Sequence, residues 1–395
     1  MAIIKEVIFI ANFPWTQRDN ERFGVDILQK QGAFKISVLD VTRAFLPYLP
    51  EEKLSEPSFS TEVRRLNSAE EIPRAMAGID PKTAFVFVLL GEDPKRRLIY
   101  RLLSKHQIRY GVITTNLFPV PPVTMDNVLS KLGSPSRAYA FLSAKVRKMC
   151  FLLTNRIMPL RSVDLWVTTN KDDISRYSFP RDNKTEFLLG HAFDYDLFLN
   201  RKANETDSTE RTCVFIDQYL AFHPDFARFN IKSYVCADQY YPSICRFFEY
   251  LEKNLNCGIK IAAHPRSDYS IYGDCFKGRP IVKGRTHDLM AEASYVVAHN
   301  STALNFAVLY RKPVLFVTTN ELKVTPSHAF VEAMAAWLGK VPINIDESLD
   351  KINLNLELVV NEEKYCAYEE RFIKMPGTSQ KPLWEIITRR LKQYV

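Results

Sequence analysis

Residues 295–320 read YVVAHNSTALNFAVLYRKPVLFVTTN and contain two apolar runs that each end in polar side chains. The first run, 295–298, leads into His-Asn-Ser-Thr at 299–302, and a segment with helical spacing follows. The second run, 313–317, ends in Thr-Thr-Asn at 318–320. Runs that are apolar throughout are typical of strands buried on both faces of a parallel sheet. The stretch therefore predicts a strand–helix–strand unit whose strands end in hydrogen-bonding groups.

Short apolar runs alternate with helical segments along the rest of the chain as well. This alternation predicts an α/β fold with two Rossmann-like lobes and mostly parallel sheets. We assign the N-terminal lobe to residues 1–190 and the C-terminal lobe to 191–375. Residues 376–395 form a predicted C-terminal helix that could pack back on the N-terminal lobe. The polar segment 200–211 indicates an exposed loop.

Charge and cysteine content narrow the class of protein. The 395 residues carry 53 Lys and Arg against 45 Asp and Glu, and this net charge of +8 suits an anionic ligand. Seven cysteines without a C-x-x-C pair indicate a reducing compartment. No apolar run approaches the ~20 residues of a membrane-spanning helix. We predict a cytoplasmic protein; cationic clusters at 64–65, 95–97 and 389–392 leave open either solvated faces or peripheral contact with the inner membrane.

Several familiar motifs are absent from the sequence. It has no G-x-G-x-x-G after a strand, no G-x-x-x-x-G-K-[ST], no H-E-x-x-H and no G-x-S-x-G. These absences weigh against dinucleotide oxidoreductases, P-loop enzymes, zincins and α/β-hydrolases. Two Rossmann-like lobes without a glycine fingerprint leave nucleotide-sugar chemistry as the leading option, and nucleic acid is not an expected partner.

Histidine placement marks the C-terminal lobe as the candidate site. Two histidines precede proline, His223 and His264, and proline biases the preceding residue toward an extended backbone at the sheet edge. Ser301 and Thr302 stand where a strand gives way to a helix, a position that favours an anion. The pattern predicts a phosphate site at Ser301 and Thr302, and each His-Pro dipeptide is expected to present its imidazole at the sheet edge. A structural turn and a helix cap are the alternatives.

Charged residues near other strand ends are further candidates. Lys283 precedes a helix that begins near Thr286 and could neutralise a phosphate or a sugar carboxylate, or lie in a solvated loop. Asp217 ends an apolar strand, where a carboxylate can act as base or nucleophile at an anomeric carbon, or cap a turn. Five residues could contact an acceptor sugar or support a hinge or a helix start: Arg18, Asp19, Arg22, His191 and Asp194.

Five stretches together carry a resemblance to a known group of enzymes. They are HAFDYD at 191–196, FIDQYLAFHPD at 215–225, AAHPRSDY at 262–269, Lys-x-x-Thr at 283–286 and HNSTALNFAVLYRKPV at 299–314. These stretches resemble the bacterial two-lobed (GT-B) glycosyltransferases that use CMP-activated acidic sugars, most closely the retaining β-Kdo transferases of capsule and O-antigen assembly. The resemblance implies a GT-B-like fold with an N-terminal acceptor lobe, a C-terminal donor lobe and a cleft between them.

The resemblance also implies roles for individual residues. His264, which is also a candidate catalytic residue, would hold the CMP phosphate with Ser301 and Thr302. Asp217 would be the carboxylate near the anomeric carbon and could form a transient glycosyl adduct. The remaining candidates for nucleotide or phosphate binding within the matching stretches are Arg266, Lys283, Thr286, His299 and Asn300.

The sequence therefore predicts a glycosyltransferase that moves Kdo or a related nonulosonate from a CMP-sugar to an oligosaccharide or lipid-linked glycan acceptor. No metal or further cofactor is expected, because histidines and hydroxyls can neutralise the single phosphate of CMP. A UDP-sugar-dependent transferase or epimerase and a non-catalytic protein of glycan assembly are the alternatives.

Overall fold

A computed structural model of the protein describes residues 3–48, 61–90, 96–122, 160–202, 211–229 and 231–394, together with positions 146 and 149. The chain forms two compact units. The first comprises residues 1–115, 123–193 and 377–395, and the second comprises 116–122 and 194–376. Residues 203–210 of the predicted polar loop lie outside the described ranges.

The first unit is built on a seven-stranded sheet in the order β3-β2-β1-β4-β5-β6-β7, and every neighbouring pair is parallel. Its strands are β1 (Glu6–Ala11), β2 (Lys35–Asp40), β3 (Glu62–Arg65), β4 (Ala84–Leu89), β5 (Arg109–Thr114), β6 (Leu165–Thr168) and β7 (Glu186–Leu189).

The second unit is built on a six-stranded parallel sheet in the order β10-β9-β8-β11-β12-β13. Its strands are β8 (Thr212–Ile216), β9 (Gly258–Ala263), β10 (Ile281–Lys283), β11 (Tyr295–Ala298), β12 (Val314–Thr318) and β13 (Ile343–Asn344). The opening stretch of sequence thus forms β11, a helix and β12, as its pattern predicts.

In the described ranges, helices connect most of the successive strands of both sheets. Up to β7 they are α1 (Gln17–Arg22), α2 (Val25–Lys30), α3 (Thr42–Phe45), α4 (Glu71–Ala77) and α5 (Arg96–Lys105). Those that follow are α6 (Phe193–Lys202), α7 (Pro224–Phe229), α8 (Ala237–Leu255), α9 (Thr286–Glu292), α10 (Leu304–Leu309), α11 (Asn320–Lys323), α12 (Pro326–Trp337), α13 (Leu354–Glu357), α14 (Glu362–Tyr368) and α15 (Leu383–Lys392). Shorter helical turns lie at Lys171–Arg176, Leu349–Lys351 and Glu369–Ile373.

Both sheets are doubly wound, and this confirms the predicted α/β fold with two Rossmann-like units. In the second unit the chain runs from β8 outward to β9 and β10, then returns to place β11 on the other side of β8. The connections leaving β8 and β11 therefore depart in opposite directions and leave a crevice at the carboxyl ends of these two strands. Ligands of open α/β sheets bind at such a switch point.

The C-terminal helix α15 belongs to the first unit and packs on its sheet through Trp384. The indole lies 5.6 Å from the ring of Phe9 and 5.5 Å from that of Phe87, and its Nε1–H donates to the carbonyl of Arg22 at 2.9 Å. Gly24, with φ of +55°, lies directly beneath the indole, since a Cβ there would stand 2.2 Å from Cγ of Trp384. Only glycine combines this backbone conformation with so close an approach.

Two of the predicted cationic clusters are engaged inside the first unit. Arg65 pairs with buried Asp40 at 3.3 Å, and Arg390 forms an ion pair with Glu186. Lys95 lies outside the described residues. None of the helices in the described ranges has the length and apolar character needed to cross a bilayer.

We expect Gly24→Ala to lower the free energy of unfolding by about 2–4 kcal/mol, because it adds a left-handed backbone penalty to a steric overlap with Trp384. Urea titration followed by tryptophan fluorescence measures the change. Gly377→Ala is the matched control: its φ is +79° and nothing lies within 4 Å of the added Cβ, so it isolates the backbone part, about 1 kcal/mol. Equal losses in the two variants would contradict the packing role of Gly24.

Candidate active site

Polar residues follow three adjacent strands of the second unit. Asp217 comes directly after β8, His264 after β9, and Asn300 to Thr302 shortly after β11. Because β8 lies between β9 and β11 in a parallel sheet, the three carboxyl ends meet at one edge. These residues line one cavity of about 560 Å³, a volume typical of small-molecule sites.

The cavity has a polar side and an apolar side. Its polar side is formed by Asp217, Gln218, His223, Asp225, His264, Asn300, Ser301, Thr302 and Ser327. Its apolar side includes Phe118, Leu220, Phe226, Ile231, Phe330 and Met334. Within the described part of the chain, no Lys or Arg side chain lines this cavity. The arrangement suits a ligand that has a flat or apolar portion and a polar portion that forms hydrogen bonds.

Asp217 is 3% exposed and its carboxylate joins two loops. Oδ1 accepts the backbone N–H of Tyr219 at 2.8 Å, and Oδ2 accepts the hydroxyl of Tyr269 at 2.8 Å and the backbone N–H of His264 at 3.4 Å. Burial raises the pKa of Asp217 to about 6, although these hydrogen bonds oppose the shift. A carboxyl group that titrates near neutral pH beside a cavity is well suited to proton transfer.

The two His-Pro turns lie side by side on the cavity wall. The rings of His223 and His264 are 4.8 Å apart with an interplanar angle of 66°. Nδ1 of His264 accepts a hydrogen bond from the backbone N–H of Arg266 at 3.2 Å. Nδ1 of His223 lies at the same distance from the backbone N–H of Asp225. Burial and the nearby Arg266 guanidinium lower the pKa of His223, so this ring is neutral at neutral pH.

The loop after β11 presents hydroxyl groups to the cavity. The backbone N–H of Asn300 donates to the side chain of Gln218 at 3.3 Å, across the switch point. The hydroxyl of Ser301 accepts the N–H of Ala303 at 3.2 Å, which makes a local turn, while its proton remains available to a ligand. The following helix, α10, has only six residues, so the hydroxyls rather than a helix end are the groups that could bind an anion here.

His299 lies in the core rather than in the cavity. It is fully buried, its Nδ1 lies 2.7 Å from the carbonyl of Val317 and its Nε2 lies 2.8 Å from the hydroxyl of Tyr240. A carbonyl can only accept, so Nδ1 carries the proton and Nε2 accepts from Tyr240. Burial lowers the pKa of His299 to about 4. The sequence placed this residue among the phosphate ligands, whereas its side chain supports β11 and β12 from within.

Three other predicted ligands do not line the cavity. Arg266 forms a bidentate ion pair with Asp225, with N–O distances of 2.9 and 3.0 Å. The Nζ of Lys283 donates to the carbonyl of Ser267 at 2.7 Å and so braces the turn after His264. Thr286 is the first residue of α9.

The five predicted acceptor or hinge residues also lie outside the cavity lining. Arg18 is exposed on α1, and Asp19 accepts the backbone N–H of Thr16 at 2.9 Å, which is the helix-start alternative. The guanidinium of Arg22 lies 4.9 Å from the ring of Phe193. The two remaining residues are held by internal contacts: both ring nitrogens of His191 lie against carbonyl oxygens, and Asp194 accepts the side-chain N–H of Asn305 at 2.9 Å.

Sequence reasoning did not place four features of this site: the contact of Tyr269 with Asp217, the Asp225–Arg266 ion pair, the role of His223 in the cavity wall, and the apolar wall. For His223 the sequence did offer a signal, because His223-Pro224 repeats the His-Pro dipeptide at His264. Tyr269 is 52 residues from Asp217, and no periodicity signals such a contact. Phe118 comes from the segment 116–122 that joins the second unit, where its ring lies 6.2 Å from that of Phe330.

Comparison with known proteins yields structural likeness. The chain matches no protein-family model and no curated protein. It is similar to the solved structure of the wall teichoic acid polymerase TagF, with a TM-score of 0.50 and 12% identity over 99% of this chain and 90% of that one. It is also similar to a putative UDP-N-acetylglucosamine 2-epimerase from Listeria monocytogenes, with a TM-score of 0.50 and 12% identity over 98% and 95% of the two chains. At these identities the likeness concerns the fold alone, which is of the GT-B type.

Asp217 and His299 should give the protein opposing pH dependences. The raised pKa of Asp217 adds stability as the pH falls through about 6, whereas the lowered pKa of His299 removes stability as the pH falls from 6.5 to about 4. Between pH 7 and 4.5 we expect Asp217→Asn to lose about 2 kcal/mol more than the wild type, and His299→Gln to lose about 2–3 kcal/mol less. Urea unfolding across this pH range measures both.

Asp26→Asn is the control, since this carboxylate is exposed on α2 and its curve should run parallel to that of the wild type. Parallel curves for all four proteins would show that neither buried group titrates as the structure indicates.

Proposed function

We propose that the protein is a glycosyltransferase that transfers an acidic sugar, Kdo or a related nonulosonate, from a CMP-activated donor to a surface-glycan acceptor. The observation that carries this proposal is the convergence of His264, Ser301, Thr302 and Asp217 on one cavity at the topological switch point of the second unit. A phosphate group bound there would lie within reach of the hydrogen-bond donors, and a reacting carbon beside it would lie within reach of the carboxylate.

The charge of the described cavity lining supports a donor with a single phosphate. Its donors are imidazoles, hydroxyls and two side-chain amides, and two carboxylates, Asp217 and Asp225, face the same space. A nucleoside diphosphate placed there would meet no lysine or arginine side chain of the described lining. CMP, with one phosphate, requires less positive charge and no metal ion or further cofactor. The apolar side of the cavity can hold a pyrimidine ring.

Asp217 is the proposed nucleophile of a retaining reaction. One carboxylate oxygen would attack the anomeric carbon while the bond from that carbon to the CMP phosphate oxygen breaks, and CMP would leave with the bonding electrons. The acceptor hydroxyl would then attack the same carbon, displace Asp217 and give its proton to a phosphate oxygen of CMP, which the Nε2–H of His264 would hold beside the reacting carbon. Such an attack requires one oxygen to release a present donor, and the 3.4 Å contact with the N–H of His264 is the longest of the three.

The names of the two similar structures bear on the biological setting and on a second candidate. TagF is a wall teichoic acid polymerase, which favours surface-polymer synthesis for the present chain. We place the reaction in the cytoplasm, with an oligosaccharide or lipid-linked glycan acceptor at the inner membrane. The second similar structure is a putative UDP-N-acetylglucosamine 2-epimerase, so a UDP-sugar-dependent transferase or epimerase is the second candidate.

Calorimetric titration with CMP, CDP, UMP and UDP in metal-free buffer distinguishes the two candidates. We expect selective binding of CMP, a loss of about tenfold or more in affinity for His264→Ala, and a smaller loss for Ser301→Ala, because each variant removes a hydrogen-bond donor from the phosphate. His106→Ala, a histidine of the first unit, is the control and should bind like the wild type. A preference for UDP would favour the second candidate, and binding of none of the four would contradict the nucleotide site itself.

Asp217→Asn tests the catalytic assignment separately from binding. We expect CMP affinity to stay within about threefold, while turnover of a CMP-activated acidic sugar falls by at least about a thousandfold, since an amide is a poor nucleophile. In the wild type, kcat/KM should rise with pH through about 6 as Asp217 ionises. Mass spectrometry of the protein incubated with donor alone should detect a glycosyl adduct on the wild type. A variant that turns over at the wild-type rate would disprove this role.

A further inference from the structure

The two His-Pro turns of the cavity share one local geometry. In each turn the Nδ1 of the histidine lies 3.2 Å from the backbone N–H two residues further along, that of Asp225 after His223 and that of Arg266 after His264. When Nδ1 accepts a hydrogen bond, a neutral imidazole carries its proton on Nε2. Both turns are therefore built to present an Nε2–H donor.

His223 has a second contact that its turn does not explain. Its Nε2 lies 3.2 Å from the Nη2 of Arg266, and a guanidinium nitrogen is only a donor. A neutral imidazole has one acceptor nitrogen, so either the contact with the N–H of Asp225 or the contact with Arg266 sets donor against donor. Protonation would worsen the mismatch, because both ring nitrogens would then be donors. An acceptor atom that bridges Nε2 of His223 and Nη2 of Arg266 would remove this mismatch between two donors.

Arg266 is fixed in a position to share such an acceptor. Asp225 holds its guanidinium through two hydrogen bonds of 2.9 and 3.0 Å, and the Arg266 side chain is 49% exposed. His223, Asp225 and His264 all line the cavity, so the mismatched pair borders the space that a ligand would fill. Oxyanions are the acceptors that accept from guanidinium and imidazole together.

We propose that His223 and Arg266 form an oxyanion subsite that holds the phosphate or the sugar carboxylate of the bound donor. The identity of the ligand rests on the proposed function, since a CMP-activated acidic sugar carries both groups. His223 contacts the oxyanion through Nε2–H, Arg266 supplies the second donor, and Asp225 keeps the guanidinium in place.

Two replacements of His223 separate the function of its two nitrogens. His223→Asn keeps an acceptor near Nδ1 for the turn and removes the Nε2 donor, whereas His223→Gln keeps a donor near Nε2. Calorimetric titrations use cytidine, CMP and CMP-N-acetylneuraminate as probes. We expect His223→Asn to weaken binding of an anionic probe by about tenfold or more, His223→Gln to stay within about threefold of the wild type, and cytidine binding to be equal in all three proteins.

The outcomes assign the group that is bound. Weaker binding of CMP identifies the phosphate, whereas an effect confined to CMP-N-acetylneuraminate identifies the carboxylate. If His223→Asn binds both anionic probes with wild-type affinity, the subsite is overturned and the proposed function stays intact. If its affinity for cytidine falls by the same factor as its affinity for the anionic probes, His223 has a structural role and the subsite is likewise overturned. If the wild type binds no nucleotide, the proposed function fails, and thermal unfolding with inorganic phosphate then tests the subsite. Stabilisation of the wild type by phosphate that is lost in His223→Asn supports the subsite, and the absence of stabilisation overturns it.

Discussion

The buried carboxylate of Asp217 connects the parts on which the site depends. Its two oxygens accept from the turn that follows β8, from the turn that follows β9, and from the hydroxyl of Tyr269. This carboxylate ties the end of β8 to the His264 turn, and the hydroxyl of Tyr219 adds a second tie to the same loop by donating to the carbonyl of Asp268 at 3.0 Å. The part of the cavity's polar side at the ends of β8 and β9 is thus held by one residue whose charged form is disfavoured by burial and stabilised by three donors.

This arrangement places one residue of the turn in a strained backbone conformation. Tyr219 adopts a φ of +55°, which is uncommon for a side chain other than glycine, asparagine or aspartate. The conformation turns its N–H onto Asp217, and its ring packs 5.1 Å from that of Tyr269. Aromatic packing in this part of the second unit therefore stabilises a strained turn that the carboxylate requires. Strain of this kind next to a cavity is typical of functional sites.

The fold could be predicted because its signal is local. Uninterrupted apolar runs such as 295–298 and 313–317 indicate strands buried on both faces, and alternation with helical segments implies parallel, doubly wound sheets. The ends of β8, β9 and β11 could be predicted to carry the site for the same reason, since parallel strands place their carboxyl ends at one edge. The sequence could not show which side chains at the strand ends point into the core. His299 and Asn300 both follow β11, but the side chain of His299 points into the core.

Contacts distant in sequence remained outside prediction because nothing in the local pattern encodes them. Phe118 reaches the cavity from a segment 99 positions before Asp217, and Tyr269 reaches the carboxylate from another loop. The same holds for Arg266, which a sequence pattern presents as a free cation beside His264. In the fold it is engaged by Asp225.

The pairing of Arg266 with Asp225 determines how much charge the cavity can accept. Arg266 is largely neutralised by Asp225, and Asp217 adds negative charge when it ionises. A single oxyanion can share the guanidinium and the imidazole donors of this pair, whereas each further phosphate of a ligand would meet only neutral hydrogen-bond donors of the described lining. The electrostatic balance of these few side chains, rather than the fold, is the basis on which we propose a singly phosphorylated nucleotide as the ligand.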